Sequence, residues 1–437
     1  MTNASSAALV CSIALIAWAV LMRALAGTWL QPSAFFALWW SFAGIAPLLF
    51  APDEHVGVNA MVWLLVASVA VSTGAAAGNC GFRTRILREI PAPSIAELRV
   101  FGLVLIVSLL LGIGSGVASL VESHVPFSDM LDIQRLVIVS NQNYVARAVE
   151  TAEPAGGLTQ ALLPFVYLAP ALGGIVFVAR RKMVWKFLGA VTLTPSVMVT
   201  VLQTTKSALL MALILWLSGY FTTRLRQGKT AVFTKGHLAI GLAVAGLGTI
   251  FFLGTSLARL GSTDLGLIGT ASGKLIGATF GHMTVLSQWL TEYWTQPFSP
   301  TLGKLTFAGP LELVGAGKRI PGLFESLIDL ISGDTSNIYT AFRPLIQDFT
   351  LPGAIAALVL IGFVGGVSFR MVATGNGRAA PVLLGTYATI LWMPITWFWI
   401  YNSLTATMIA LAVLAFLVRR RRLDSPRWRS LRSPIVE

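Results

Sequence analysis

Apolar runs of nearly membrane-spanning length recur along this chain, at about 6–25, 32–50, 60–78, 100–120, 158–179, 187–203, 206–222, 237–254, 350–369, 381–400 and 402–418. A helix needs roughly 20 such residues to cross a bilayer. The runs are long and do not alternate, so they predict helices rather than barrel strands. Only 11% of the 437 residues are charged while 55% are hydrophobic, against roughly 25% charged in soluble domains. So few charges cannot cover a soluble core of this size. The expectation is an all-α polytopic membrane protein of about eleven helices, forming a single transmembrane domain over 1–437.

Charge sets the expected orientation. With the C-terminus inside, the inner segments hold 22 of the 31 basic residues and only Glu89, Glu97, Asp424 and Glu437 among the acids. This positive-inside bias accounts for the net +13 without nucleic acid. The basic tail 419–437 reads as a cytoplasmic topology anchor that also attracts anionic lipid. The first run, about Ala7 to Met22, has no basic flank before it and Arg23 after it. A retained helix with its N-terminus outside is therefore expected rather than a signal peptide.

Two outer segments are long, 121–157 and 255–349. In the second, "LIGATFGHMTVLSQWLTEYW" is amphipathic, and in "IPGLFESLIDLIS" Phe324, Leu327, Ile328 and Ile331 recur at helical spacing. Both stretches predict interfacial helices. Cys11 and Cys80 flank a proposed span, and His55, His124, His237 and His282 lack metal-ligand spacing, so neither a disulfide framework nor a metal cluster is expected.

No Asp or Glu lies in the middle of a run, which disfavours an ion-coupled transporter. The charges able to do chemistry gather at outer helix ends. Lys206, with Gln203, Thr204, Thr205 and Ser207 around it, opens a span and suits an anionic group; the plainer reading is a lysine reaching for lipid headgroups. In "NIYTAFRPLIQDFTLPG", Arg343 and Asp348 are five residues apart, about 140° around a helix, so they are poorly placed to pair on one helix. Pro344 predicts a turn at Arg343 and a short rigid piece at Asp348. The arginine offers a fork for pyrophosphate, and the aspartate is the candidate base, with Asp132 and Glu150 as rivals. The plainer alternative is an ion pair that locks the loop. Arg135, Asn143, Tyr144 and Arg147 mix cations, an amide and a ring in a way that suits a sugar or phosphate. Tyr144 and Tyr339 are candidate sugar-lining rings and Arg259 a reserve cation.

The run "NIYTAFRPLIQDFTLPG" resembles the signature of the bacterial oligosaccharide repeat-unit polymerases, the Wzy-type O-antigen polymerases, of the form N-x-Y-T-x-x-R-P-x-x-x-D-F-x-x-x-G. "TTKSALLMALILWL" resembles that family's basic turn, with lysine where arginine is usual. The resemblance implies a GT-C-like bundle in the bacterial inner membrane with a large periplasmic loop between the eighth and ninth helices. It implies an enzyme, a metal-independent membrane glycosyltransferase without cofactor. Its substrates would be undecaprenyl-pyrophosphate-linked oligosaccharides, and the growing chain would move onto the nonreducing end of a new unit on the periplasmic side. Lys206, Arg343 and Asp348 would be catalytic, and a chain-length regulator is an expected partner. The alternatives are an O-antigen ligase, whose loop histidine would be His282, and a flippase for lipid-linked sugars.

Overall fold

The computed structural model describes residues 3–54, 56–81, 95–122, 132, 134–135, 138, 141–142, 157–203, 206–229, 246, 248–258, 260, 264–296, 298–317, 328–330 and 335–423. The elements are α1 (Asn3–Ala26), α2 (Pro32–Phe50), α3 (Val58–Gly78), α4 (Ile95–Glu122), α5 (Gly157–Ala179), α6 (Met183–Val191), α7 (Thr194–Gln203) and α8 (Lys206–Arg226). They continue with α9 (Ile268–Phe280), α10 (His282–Thr295), α11 (Ala308–Leu313), β1 (Ile328–Asp329), β2 (Thr335–Ser336), α12 (Phe342–Ala373), α13 (Ala380–Trp392) and α14 (Asn402–Leu423).

Among the described residues, eight helices are long and apolar enough to cross a membrane, with α6 and α7 together forming one of them. The chain is therefore an all-α polytopic membrane protein. The tightest interface joins α3 to α12. Gly74 and Gly78 face the backbone of Val359 and Phe363, while Gly362 and Gly366 face that of Val71 and Ala75. A Cβ on Gly74 would stand 1.9 Å from the Val359 carbonyl oxygen, and one on Gly362 2.1 Å from that of Val71. Glycine four residues apart on both helices lets the backbones touch, the small-residue packing that holds helices together where water cannot drive them. The register rises together on the two helices, so they run parallel. The α5–α8 pair repeats the device with Gly174 on Trp216 and Gly219 on Ala171; Val166 packs with Ala208 near one end and Gln227 donates to the Val178 carbonyl at the other, so these helices are parallel too. In α4 and α5 the contacts run the other way: Ser115 donates to the Thr159 carbonyl and Gly112 meets Phe165.

These registers put the N-termini of α3, α5, α8 and α12 at one end of the bundle, the Arg343 end. Arg224, Arg226 and Arg370 lie at the other, where Arg226 packs on Gly377. Helix α8 is central, 78% of its spanning window being buried, whereas α1 is peripheral at 28%.

Several expectations change. The run at 381–400 is not one continuous helix: α13 stops at Trp392, Pro394 follows, and a 3-10 turn at Phe398–Ile400 leads into α14. Proline cannot extend a helix and pushes the residue before it out of helical geometry. The amphipathic stretch around His282 breaks at Gly281 into α9 and α10. In "IPGLFESLIDLIS", Ile328–Asp329 is a short strand paired antiparallel with Thr335–Ser336 rather than helix. Most of the run at 237–254, the segment 121–157 and the tail from Asp424 lie outside the described residues.

Candidate functional site

Helix α12 is two helices joined at a kink. Thr350 takes φ 63° and ψ 176°, and Pro352 follows. At the other side of the first piece Thr340 has φ 62°. Left-handed backbone is costly for a β-branched residue, and such residues collect at functional sites. The short helix from Phe342 to Phe349 thus sits between two strained threonines. Arg343 lies in its first turn, not on an open turn as Pro344 suggested. Proline is tolerated there because first-turn N–H groups have no helical partner.

Asp348 is fully buried. Its side-chain oxygens accept from the Thr301 hydroxyl, from Leu305 N–H at 3.2 Å and from Thr306 N–H at 2.5 Å. Its own carbonyl accepts from Leu302 N–H at 3.1 Å. In an unbroken helix that carbonyl would bond residue 352, which is a proline without an N–H. The kink therefore frees a carbonyl, and the 301–306 turn satisfies it. Trp397 extends the link, its indole N–H donating to the Thr306 carbonyl at 2.9 Å. A carboxylate this buried and this fully engaged fits an anchor for the turn better than the base expected from sequence. The ion-pair alternative fails as well, since Asp348 and Arg343 face different neighbours.

Arg343 turns to an aromatic pocket. Its guanidinium carbon lies 3.8 Å from the Tyr339 ring centroid and 5.6 Å from that of Trp289. Tyr339 also hydrogen-bonds the guanidinium, and Glu292 acts on it electrostatically. Tyr339 and Trp289 are buried, Arg343 is half-buried, and Glu292 is exposed at the lip. Tyr293 continues the aromatic row, 5.6 Å from Trp289, and Phe298 lies 5.3 Å beyond it. Two aromatic faces hold the fork in one place.

Lys206 stands at the same end of the bundle but has other neighbours: its ammonium donates to the buried Ser256 hydroxyl. Lys206 and Arg343 therefore contact different side chains, Ser256 for the one and Tyr339 and Trp289 for the other. Helix α8 packs on α5 and α13 and also touches α12, while the first turn of α12 packs on Trp40 and Trp63 through Phe342 and faces α10 through Arg343. Arg135 pairs with Asp132 at 3.8 Å, both more than 45% exposed, which is a solvated i,i+3 contact. Asn143, Tyr144, Arg147, Glu150 and Arg259 lie outside the described residues. His282 is buried, with Nδ1 3.0 Å from the Thr279 carbonyl and the Ala43 carbonyl also against the ring. Burial pushes its pKa down to about 4. A histidine sealed this way is poorly placed to serve an acceptor. Among the described residues no group of three His, Cys, Asp or Glu side chains is placed to share a metal ion.

Between α12, α13 and α14 lies an apolar groove of about 430 Å³, lined by Leu360, Val364, Val382, Met408 and Ile409. It is partly open, and Leu360 and Ile409 are 61% and 52% exposed along it. Trp397 and Trp399 also line it, so the groove reaches the turn that Asp348 anchors.

Sequence reading missed Trp289, Glu292 and Tyr293. Their i, i+3, i+4 spacing on α10 was visible as an aromatic-rich end, but nothing in the sequence tied it to Arg343, some fifty residues on. No protein-family model, no curated protein and no solved structure matches the chain.

Proposed function

We propose that the chain is a bacterial inner-membrane glycosyltransferase of the repeat-unit polymerase type, building O-antigen or a related surface polysaccharide from polyprenyl-pyrophosphate-linked oligosaccharides. The observation that carries this reading is the Arg343 pocket: a half-buried guanidinium held between Tyr339 and Trp289, with the exposed Glu292 at its lip. Aromatic faces suit pyranose rings, and a fixed fork suits a departing pyrophosphate. The apolar groove beside α12 supports the same reading, because a polyprenyl tail needs a path between helices.

In the reaction the bond between the sugar anomeric carbon and the phosphate oxygen of the donor breaks. A bond from that carbon to the acceptor hydroxyl forms, and the hydroxyl proton passes to a base. Arg343 neutralises the leaving pyrophosphate. Glu292 is the carboxylate best exposed to take the proton, and Asp348 holds the 301–306 turn at the groove end. Donor and acceptor each carry a pyrophosphate, so two separated cations are a fitting arrangement: Arg343 for the donor and Lys206 for the acceptor. The charge bias of the sequence puts this end on the periplasmic side.

The test is incubation of the purified protein with lipid-linked repeat units, read by gel. A ladder is expected. Transfer only onto lipid A core would indicate the ligase, and no transfer would return the flippase. Arg343→Ala should remove the ladder, about a 100-fold loss or more for one lost electrostatic donor. Arg343→Lys, which keeps charge without the fork, should fall between. An unaltered ladder in Arg343→Ala sinks the assignment.

A further inference from the structure

The end of the bundle opposite Arg343 carries a second concentration of charge that the proposed reaction does not use. From Pro154 to Thr263 the chain contains no aspartate or glutamate. Within that stretch Arg180, Arg181, Lys182 and Lys186 occupy the bend between α5 and α6, and Arg226 and Lys229 follow at the end of α8. The two pieces are tied together, since the Gln227 side-chain amide donates to the Val178 carbonyl at 3.1 Å.

The bend has a defined shape. The Arg180 guanidinium carbon lies 4.7 Å from the Trp185 ring centroid. Trp185 in turn rests on α4 over Gly102, where a Cβ would come within 2.8 Å of the indole. Arg180 Nε is buried and has no hydrogen-bond acceptor among the described residues. A buried donor on a cation is costly to leave unmade, and it marks a place for an acceptor oxygen. Directly after these cations, Met183, Val184 and Phe187 are 76%, 73% and 69% exposed. They open the membrane-crossing helix pair Met183–Leu202. Cations above and bare apolar side chains below match one kind of molecule, an anionic headgroup joined to acyl chains. A free phosphate would leave the apolar side chains unused, and their place at the start of a span keeps the site at headgroup depth.

We propose that this bend is a binding site for an anionic phospholipid. The lipid phosphate bonds Arg180, Arg181 and Lys182, and its acyl chains lie along Met183, Val184 and Phe187. The site is independent of the glycosyl-transfer reading.

Native mass spectrometry of the full chain in detergent tests it, with phosphatidylglycerol, phosphatidylcholine and inorganic phosphate as separate probes. Phosphatidylglycerol should be retained in preference to phosphatidylcholine, and inorganic phosphate should not displace it. The triple variant R180Q/R181Q/K182Q should bind phosphatidylglycerol ~100-fold more weakly, at about 1 kcal/mol per basic residue near an anionic surface and tenfold per 1.4 kcal/mol. Lys274→Gln, exposed on α9 at the far end, should change nothing. Trp185→Ala keeps every charge and removes the seat of Arg180 together with the contact on α4, so it reads the site even if the triple variant does not fold; its phosphatidylglycerol preference should drop. Equal binding of the two lipids, displacement by inorganic phosphate, or an unchanged preference in Trp185→Ala overturns the proposal.

Discussion

Helix α12 has two faces that could hardly differ more. Toward α3 it is welded backbone to backbone through Gly362 and Gly366. Toward α13 and α14 it leaves a groove lined by Leu360 and Val364. Both faces are apolar, so hydrophobicity does not separate them. Side-chain size does. Glycine lets two helices close, and branched side chains facing a shortened partner helix keep them apart. Helix α13 ends at Trp392, which contributes to the opening. One face fixes where Arg343 and Asp348 stand, and the other leaves room for a guest.

The comparison can be broken from the welded side first. Gly362→Leu must push the Val71 carbonyl away, and a loss of about 3 kcal/mol or more is expected, read as a fall in melting temperature in detergent. Asp348→Ala comes next. It strands the donors of the 301–306 turn and should cost about 3 kcal/mol, with faster proteolysis of that turn. The pH response should be similar in size. His282 is held neutral, with its pKa depressed to about 4 against an ordinary 6.5. The unfolded chain therefore takes up the proton first. Stability is full above about pH 6.5 and falls as pH drops toward 4, by about 3 kcal/mol in all. His282→Gln should flatten that slope in melts at pH 7.5 and 4.5, and an unchanged slope would refute the assignment. On the open side the effects on stability should be smallest. Leu360→Trp fills the groove from its lipid-facing edge and should move stability by less than about 0.5 kcal/mol. Under the proposed function it should still slow polymer formation from long-tailed donors more than from short-tailed ones. If Leu360→Trp destabilised as much as Gly362→Leu, the two faces would not be different after all.

The membrane-spanning character was legible, because each long apolar run carries its own length signal; eight spanning helices stand among the described residues against about eleven expected runs, and the relative directions of α3, α4, α5, α8 and α12 within their packed pairs agree with an alternating path. The break at Trp392 was less legible, because Pro394 sits late in a run that is apolar throughout. The motif around Arg343 and Asp348 was visible as chemistry, but its division of labour was not. Five-residue spacing said that the two side chains diverge, and it could not say that one meets the 301–306 turn while the other meets α10. Those partners lie some forty to fifty residues away, joined by contacts that no local pattern records. Lys206 and Arg343 both lie at outer helix ends in the sequence, which leaves open whether they share neighbours. Helix packing, invisible in one dimension, gave them different neighbours.

Thr340 and Thr350, in left-handed geometry at either side of the Arg343 helix, have a consequence for engineering. Glycine at either position would relieve the strain, so a screen for heat tolerance should recover Thr340→Gly or Thr350→Gly among its early winners. Such winners would also loosen the clamp that sets the arginine's aim, so selecting this chain for robustness alone would steadily trade away the fixed placement of Arg343.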